Sequence, residues 1–590
     1  MKNQEIAKIC YEIADFLQME GVAFKPFAWR KVAEVLETME EDADDIYKKG
    51  GIEALEEIPG VGKSIAQNIE EYLKTGKMRY WERLKKKTPV NMEELIRVEG
   101  LGPRKIKVLY QKLGIKNLKD LERAAKARKI RPLFGFGEKT EKNILQGIEF
   151  LKRSKGRFLL GEILPRAKEV LEKLKQLPEV EKIDMAGSLR RTKETIGDVD
   201  FLAIAKKGSA AKIMDFFVSL PGVARVWAKG GTKASVRFKE GFDMDIRVLQ
   251  PKSYGSALQY FTGSKEHNIA LRRIAMDKGF KLSEYGLFRG SKMIAGHTEE
   301  EIYKALGLQW LAPELREDQG ELKAALENKL PQIIDYRDIK GDLHVHSDWD
   351  GGENSIEELA RWAQKMGYEY LGISDHTKAL HIEHGLDEAK IIQRNKEIDK
   401  LNEKLKMKNE TPTPKGWGSD RSVGEFKILK GVEANIMKDG SIDIRDDVLA
   451  QLDFVIAGIH SNMKMDKQKM TERIIKAMRN PNVDIISHPT GRILKKRDEY
   501  QIDFDRVLRV AKETGTVLEI SAWPERLDLN DQNILKAKEA GVKMVINTDA
   551  HRKGQLGLME FGIAQARRGW AENKDIINCY PLKKMLMFLK

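Results

Sequence analysis

The chain has 590 residues, 41% of them hydrophobic and 33% charged, which excludes both a disordered chain and a single hydrophobic core. Its net charge is +14, no run approaches the ~18 apolar residues of a spanning helix, and the start MKNQEIAKIC lacks the apolar core of a secretion signal. Two cysteines, Cys10 and Cys579, exclude a disulfide framework and a four-thiolate zinc site and fit a reducing cytoplasm.

Residues 5–74 read as short amphipathic helices, with apolar positions three and four apart in IAKICYEIADFL and WRKVAEVLETM. A pattern then recurs as IPGVGKSIAQNI (58–69), VEGLGPRKIKVL (98–109) and LFGFGEKTEKNI (133–144). Each copy has Gly-apolar-Gly ahead of an amphipathic helix: Gly60 and Gly62, Gly100 and Gly102, Gly135 and Gly137. Such a turn presents backbone N–H groups at a helix start, where Lys63 and Arg104 add positive charge, and this suits a phosphate oxygen. The charge agrees: residues 1–80 carry −5 and residues 81–160 carry +13 when Lys, Arg, Asp and Glu are counted. Three turns interleaved with the most basic stretch point to a polyanion such as DNA.

From about 156 the texture changes to strands alternating with helices. In GDVDFLAIA, Asp198 and Asp200 stand two apart on a predicted strand, so both carboxylates face one side and Val199 and Phe201 the other. In FDMDIRVL the residues Asp243, Asp245 and Arg247 share one face. Like charges this close call for a divalent cation between them. Upstream, Gly187-Ser188 with Arg190 and Arg191 supplies a tight turn and donors for triphosphate oxygens. Residues 319–338 read as a polar linker.

Beyond 340 short β segments alternate with helices about seven times, the mark of parallel βα units closing as a barrel. Eight of the ten histidines lie here. His344, His346, Asp350, His376, Glu433, His460, His488, Asp549 and His551 fall at the C-terminal ends of the β segments, where such a barrel gathers its site. Nitrogen and carboxylate ligands without thiolates suit zinc, manganese or iron, and nine exceed the needs of one ion. The segment 386–425 reads as an insert, a charged helix and then an exposed loop.

These motifs carry a resemblance. The Gly-apolar-Gly turns resemble helix-hairpin-helix DNA-binding motifs. GSLRR with GDVD, DIRV, and YFTGSKEHN (260–268) make residues 1–320 similar to a family X DNA polymerase, and residues 340–575 resemble the PHP (polymerase and histidinol phosphatase) domain found at the C-terminus of bacterial and archaeal members. The resemblance implies a multidomain α/β and α fold. A helical helix-hairpin-helix domain spans 1–85 and a second DNA-binding helical domain 86–155. A nucleotidyltransferase palm with a mixed sheet spans 156–252, a nucleotide-selection domain 253–318, the linker 319–338, and a PHP (β/α)7-type barrel 339–575.

It also implies roles. Asp198, Asp200 and Asp245 would hold two Mg2+ ions, Ser188, Arg191 and Arg166 would contact the incoming triphosphate, and Gly187 would form the turn. Tyr260, Phe261 and Gly263 would line the sugar pocket, with Asn268 and Arg272 near the nascent base pair. The PHP ligands would hold two or three Mn2+ or Zn2+ ions. Gap filling in DNA repair follows, with 3′-5′ exonuclease action and, in some members, abasic-site endonuclease; the alternative is a polymerase whose PHP domain is mainly structural. The expected partners are gapped or primed DNA and a dNTP, with no membrane, for a cytoplasmic monomer. The sequence departs from the family at Asn68, where relatives with a lyase carry the Schiff-base lysine, leaving Lys63 or Lys25 as substitutes. It departs again at Lys265 and Asp243.

Overall fold

All three Gly-apolar-Gly turns open helices in the computed structural model of the chain, which describes residues 2–39, 41–96, 98, 101–153, 156–409 and 426–590. Two compact units emerge, residues 1–155 with 495–497, and residues 156–494 with 498–590. Among the described residues no helix is long and apolar enough to cross a membrane.

The first unit is helical. Lys63–Thr75 and Pro103–Leu113 each start one residue after a glycine, Gly62 or Gly102, and each stops at a glycine in left-handed conformation, Gly76 or Gly114. One core joins Ile6, Ile13, Leu17 and Ile65 of the front part to Ile106, Leu109, Leu121 and Ile144 of the rear. The expected separate domains 1–85 and 86–155 therefore share their interior. Helix Lys2–Glu20 is the reason, because it is apolar on several sides and packs on Lys25–Thr38 as well as on Pro103–Leu113.

The second unit begins with a five-stranded sheet: β1 (Val180–Met185), β2 (Asp198–Ala205), β3 (Val223–Lys229), β4 (Lys233–Phe238) and β5 (Asp243–Leu249), in the order β1-β2-β5-β4-β3. Only β2 and β5 run parallel. Strict alternation puts Val199, Phe201, Val236, Met244 and Ile246 on a face covered by helices Leu160–Lys175 and Ala210–Val218. On the other face the far half of β2, Leu202 and Ile204, lies under Tyr254, Ala257 and Leu258 of helix Tyr254–Thr262. The near half of that face carries the carboxylates.

Residues 319–338 are not a plain linker. Glu321–Leu326 is a helix whose Leu322 and Ala325 bury in the apolar cluster of Leu271, Leu287, Ile302 and Tyr303. Its buried Glu321 lies 2.7 Å from His267 Nδ1. Two apolar side chains in a polar stretch suffice to dock it.

The barrel strands are β6 (Gly341–Val345), β7 (Tyr370–Ile373), β8 (Lys427–Lys430, continued by Glu433–Asn435), β9 (Ile456–Gly458), β10 (Ile485–Ile486), β11 (Val517–Ser521) and β12 (Met544–Asn547). All neighbours are parallel. The ring closes where Val345 bridges Ala550 and His346 N–H donates to the Ala550 carbonyl at 2.8 Å. Its interior end is filled by Leu343, Phe454, Ile456, Val517 and Val545, sealed by Ile577 and Met585 of the C-terminal segment. Residues 410–425, which contain most of the loop read in the insert, lie outside the described residues.

Candidate active sites

In the palm the register settles which carboxylates meet. Asp200 pairs directly with Asp245, and Asp198 with Asp243, across the parallel β2/β5 ladder. The Gly187–Arg190 turn packs against them so closely that a Cβ on Gly187, whose φ is +66°, would lie 2.8 Å from Asp200 Oδ2. Burial, then the charges of Asp198 and Asp245, push the Asp200 carboxyl up to about 7. Lys233 Nζ approaches Asp245 at 3.5 Å. The set thus carries more negative charge than its own cations balance, the condition a divalent ion relieves.

Asp243 shares that face but not that condition. Arg237 on β4 grips it with two bonds of 2.8 Å, and Trp227 Nε1 donates at 2.9 Å. The Arg237 contact foremost holds its carboxyl below the ordinary range. Trp227 and Arg237 escaped the sequence reading because strand register, which brings them to Asp243, is not written in either segment alone.

The YFTGS element closes onto the same face. The Arg247 guanidinium stands 4.6 Å over the Phe261 ring, and Tyr260 meets Phe261 edge-on at 5.2 Å. Arg190 Nη1 donates to Thr262 Oγ1 at 2.7 Å, Arg191 Nη1 donates to the Thr262 carbonyl, and a Cβ on Gly263 would touch that Arg191 nitrogen at 3.0 Å. Asn268 is engaged, with Nδ2 donating to the Tyr260 carbonyl at 2.7 Å, and Arg272 Nε donates to the Asn268 carbonyl at 3.2 Å. Arg166 is not brought to this group. It stacks at 5.2 Å on Phe238, whose side chain lies on the helix-covered face of the sheet, and bonds the Pro221 carbonyl at 2.7 Å. Its helix, Leu160–Lys175, packs opposite the carboxylates.

In the barrel the histidines gather. Rings of His346 and His551 stack at 4.1 Å, His346 and His376 lie tilted at 4.3 Å, and His460 and His488 meet edge-on at 5.3 Å. Ligand atoms close enough to share an ion come from His344, His346 and Asp549; from His346, His376 and His551; from His376, Glu433 and His460; and from His346, Asp350 and Asp375. His488 Nε2 lies 3.1 Å from Glu433 Oε1. His488 and Asp549 sit at φ +30° and +56°, a backbone strain that the close packing of the site sustains.

The electrostatics fit bound cations. His488 Nδ1 is buried without a hydrogen-bond partner, and the buried His344 Nε2, His346 Nε2 and His376 Nδ1 face carboxylate oxygens of Glu433 or Asp549 at 3.3, 3.3 and 2.9 Å without an aligned hydrogen bond. Burial opposes a charge on His346, yet Asp350 and Asp549 outweigh it and lift the ring to about 10. Burial likewise opposes a charge on His344, but Glu519, Glu433 and Asp549 hold it well above its usual range. Burial and the neighbouring His346 instead lower His551 to about 4. Positive charge is demanded between the carboxylates, whether from protons or from divalent ions.

Two supporting carboxylates are absent from the sequence-derived set. Glu519, fully buried on β11, sits 2.7 Å from His344 Nδ1 and accepts the His488 N–H at 2.7 Å. Asp375 accepts from Ser347 N–H at 2.6 Å and pairs at 2.9 Å with Arg394, a buried residue of helix Glu388–Asn409. An acidic residue inside the apolar run VLEIS was the available signal for the first. His381 and His384 stay in their loop, outside the cluster groups.

In the helical unit Gly60 and Gly135 adopt φ +83° and +80°, and a Cβ on Gly62, Gly102 or Gly137 would meet nothing within 4 Å, so the turns are open to a ligand. Lys63 and Arg104 are exposed at the helix starts, and Gly100 lies outside the described residues. Asn68 spends its amide on the Ser64 carbonyl at 2.7 Å.

Four stretches of the chain match known protein families. Residues 1–78 match the helix-hairpin-helix domain, 92–149 the SAM-like helix-hairpin-helix tandem, 257–317 the DNA polymerase beta thumb, and 342–522 the PHP domain. The chain is 37% identical over 595 residues to the DNA polymerase/3'-5' exonuclease PolX of Bacillus subtilis, with all of both chains covered. It is 40% identical over 144 residues to a probable phosphatase of Thermoanaerobacter pseudethanolicus, 23% of this chain and 56% of that one. A probable phosphatase of Acetivibrio thermocellus is 28% identical over 229 residues, 37% of this chain and 81% of the relative.

Proposed function

The chain belongs to the family of the DNA polymerase/3'-5' exonuclease PolX, and from that premise we propose that it fills short gaps during DNA repair, adding nucleotides at the palm and trimming 3′ ends in the barrel. It is a DNA polymerase with a metal-dependent phosphoesterase domain. Asp198, Asp200 and Asp245 would hold two Mg2+ ions, and the nine barrel ligands two or three Mn2+ or Zn2+ ions. Bound there, the ions supply Lewis acidity, activating the attacking oxygen and neutralising charge on the departing group.

The chain's own residues do the rest. The N–H groups and hydroxyl of the Gly187-Ser188 turn donate to triphosphate oxygens, and Arg191, with Nε and Nη1 already committed, offers Nη2. Tyr260, Phe261 and Gly263 wall the sugar and leave no space for a 2′-hydroxyl, while Asn268 holds the Tyr260 carbonyl in place. Arg272 faces the nascent pair. In the barrel Glu519 fixes the tautomer and angle of His344. The hairpin turns of Gly60, Gly62, Gly102, Gly135 and Gly137, with Lys63 and Arg104, grip phosphates without reading sequence.

The observation that carries this reading is a pair of separate cation-demanding groups, one of carboxylates in register and one of buried imidazole nitrogens gathered around Glu433 and Asp549. Asp198→Ala with Asp200→Ala is expected to abolish primer extension and spare Mn2+-dependent digestion of a labelled 3′ end. His344→Ala with His346→Ala is expected to do the reverse. Loss of both activities in either double variant defeats the division.

A further inference from the structure

The nucleotide turn of the palm is held from behind by the barrel. Helix Met559–Arg568 packs between the last barrel strand and the palm, and its final residue, Arg568, has a side chain only 1% exposed. Arg568 Nη1 donates to the Arg191 carbonyl at 3.0 Å and to Glu317 at 3.0 Å, while Nη2 pairs with Asp531. Glu317 also accepts from Arg191 Nε at 3.0 Å and lies 3.4 Å from Lys193 Nζ. Three residues on, Glu194 accepts from Gln565 Nε2 of the same helix at 3.0 Å and from Arg492, four residues past His488. Residues 191–194 are thus tied at two points to barrel side chains.

A buried ion network of this kind adds little net stability compared with an apolar replacement, since desolvation cancels most of the attraction. What it does fix is geometry. Arg191 points one nitrogen at the Thr262 carbonyl and one at Glu317, so the direction of its last nitrogen depends on where Glu317 stands. Arg568 sets that position and offsets the charge of Glu317, which would otherwise hold Arg191 back and repel a triphosphate.

We propose that Arg568, a barrel residue, is a positioning residue of the polymerase site, fixing Arg191 and the Gly187–Arg191 turn for triphosphate binding through the Arg191 carbonyl and Glu317. This rests on the reading of the palm as the nucleotide-adding site. Nucleotide addition then depends on the barrel even when the barrel's own chemistry is silenced.

The test uses full-length Arg568→Ala, Arg568→Met and Arg568→Lys. Expected is a rise of about tenfold in the KM for dNTP in the first two, with kcat within about threefold and Mn2+-dependent 3′ digestion unchanged. Calorimetric binding of a non-hydrolysable dNTP analogue weakens in parallel, and Arg568→Lys recovers part of the loss. An unchanged KM and analogue affinity in Arg568→Met overturns the proposal. So does loss of extension and digestion together in all three variants, which makes the network a folding element only. Failure of the underlying reading looks different: the wild type then neither extends a primer nor binds the analogue.

Discussion

Asp200 shows what a buried carboxylate beside two others costs the protein that carries it. Burial and two like charges raise its carboxyl to about 7, above the unfolded value near 3.8. The contribution of this one group is therefore fully present below pH 3.8 and lost as pH rises through 7, by up to about 4 kcal/mol at ~1.4 kcal/mol per pH unit. In chelator, Asp200→Asn is expected to melt several degrees above wild type at pH 8 and no higher at pH 4; equal melting at pH 8 counts against the repulsion. The same variant loses the Mg2+-induced rise in melting temperature. Alternation put Asp198 with Asp200, and Asp243 with Asp245, on one face each; the choice of Asp245 came from the family resemblance, and spacing pointed to Gly187 and Ser188. Asp243 was not separable from the other carboxylates, because its partners, the Arg237 cation and the Trp227 N–H, arrive from other strands of the sheet. Glu519 was missed because its one signal, an acid inside the apolar run VLEIS, marks burial without naming a partner. Its orienting bond to His344 makes a claim of its own: Glu519→Gln is expected to lower 3′ digestion by about 10–100-fold and reduce bound metal, with primer extension unaffected.

At the level of elements, the periodic ones were readable and the docked ones were not. Each Gly-apolar-Gly repeat opens a helix, and each β segment after 340 whose end carries a ligand is a barrel strand or its extension. The helix Glu321–Leu326 was hidden because only Leu322 and Ala325 bury, too few for a period. The charged helix Glu388–Asn409 gave no hint that Arg394 is fully buried against Asp375, since a single inward arginine resembles its exposed neighbours. Hairpin function has a specific signature. If Gly62 and Gly102 let backbone N–H groups meet phosphates beside Lys63 and Arg104, replacing both cations with alanine weakens binding uniformly across sequences. The slope of log affinity against log salt is expected to fall by about 1–2, roughly one for each phosphate that is no longer neutralised. A slope equal to wild type places the phosphate grip elsewhere.

Over the whole second unit, palm and barrel are chemically separate yet share an interior. Leu527 and Phe561 of the barrel bury within the palm core beside Phe238, Phe242 and Leu160, with Leu494 and Leu558 at the margin. Gly161 approaches Pro524 so closely that a Cβ would fall 2.3 Å from its ring. Burial of side chains like Leu527 and Phe561 is worth about 1.5–3 kcal/mol each, a sizeable part of the roughly 5–15 kcal/mol that keeps a domain folded. A chain ending at residue 338 would expose this surface and leave Glu317, Glu194 and Arg191 without Arg568, Arg492 and Gln565. Cluster variants leave those ties intact. Truncation is therefore expected to lower the urea midpoint of the palm and raise the KM for dNTP, whereas His344→Ala with His346→Ala keeps both near wild type. If the truncated chain matched the full one in midpoint and KM, the shared core and the ionic ties would be passive, and the barrel would serve the polymerase only by its chemistry.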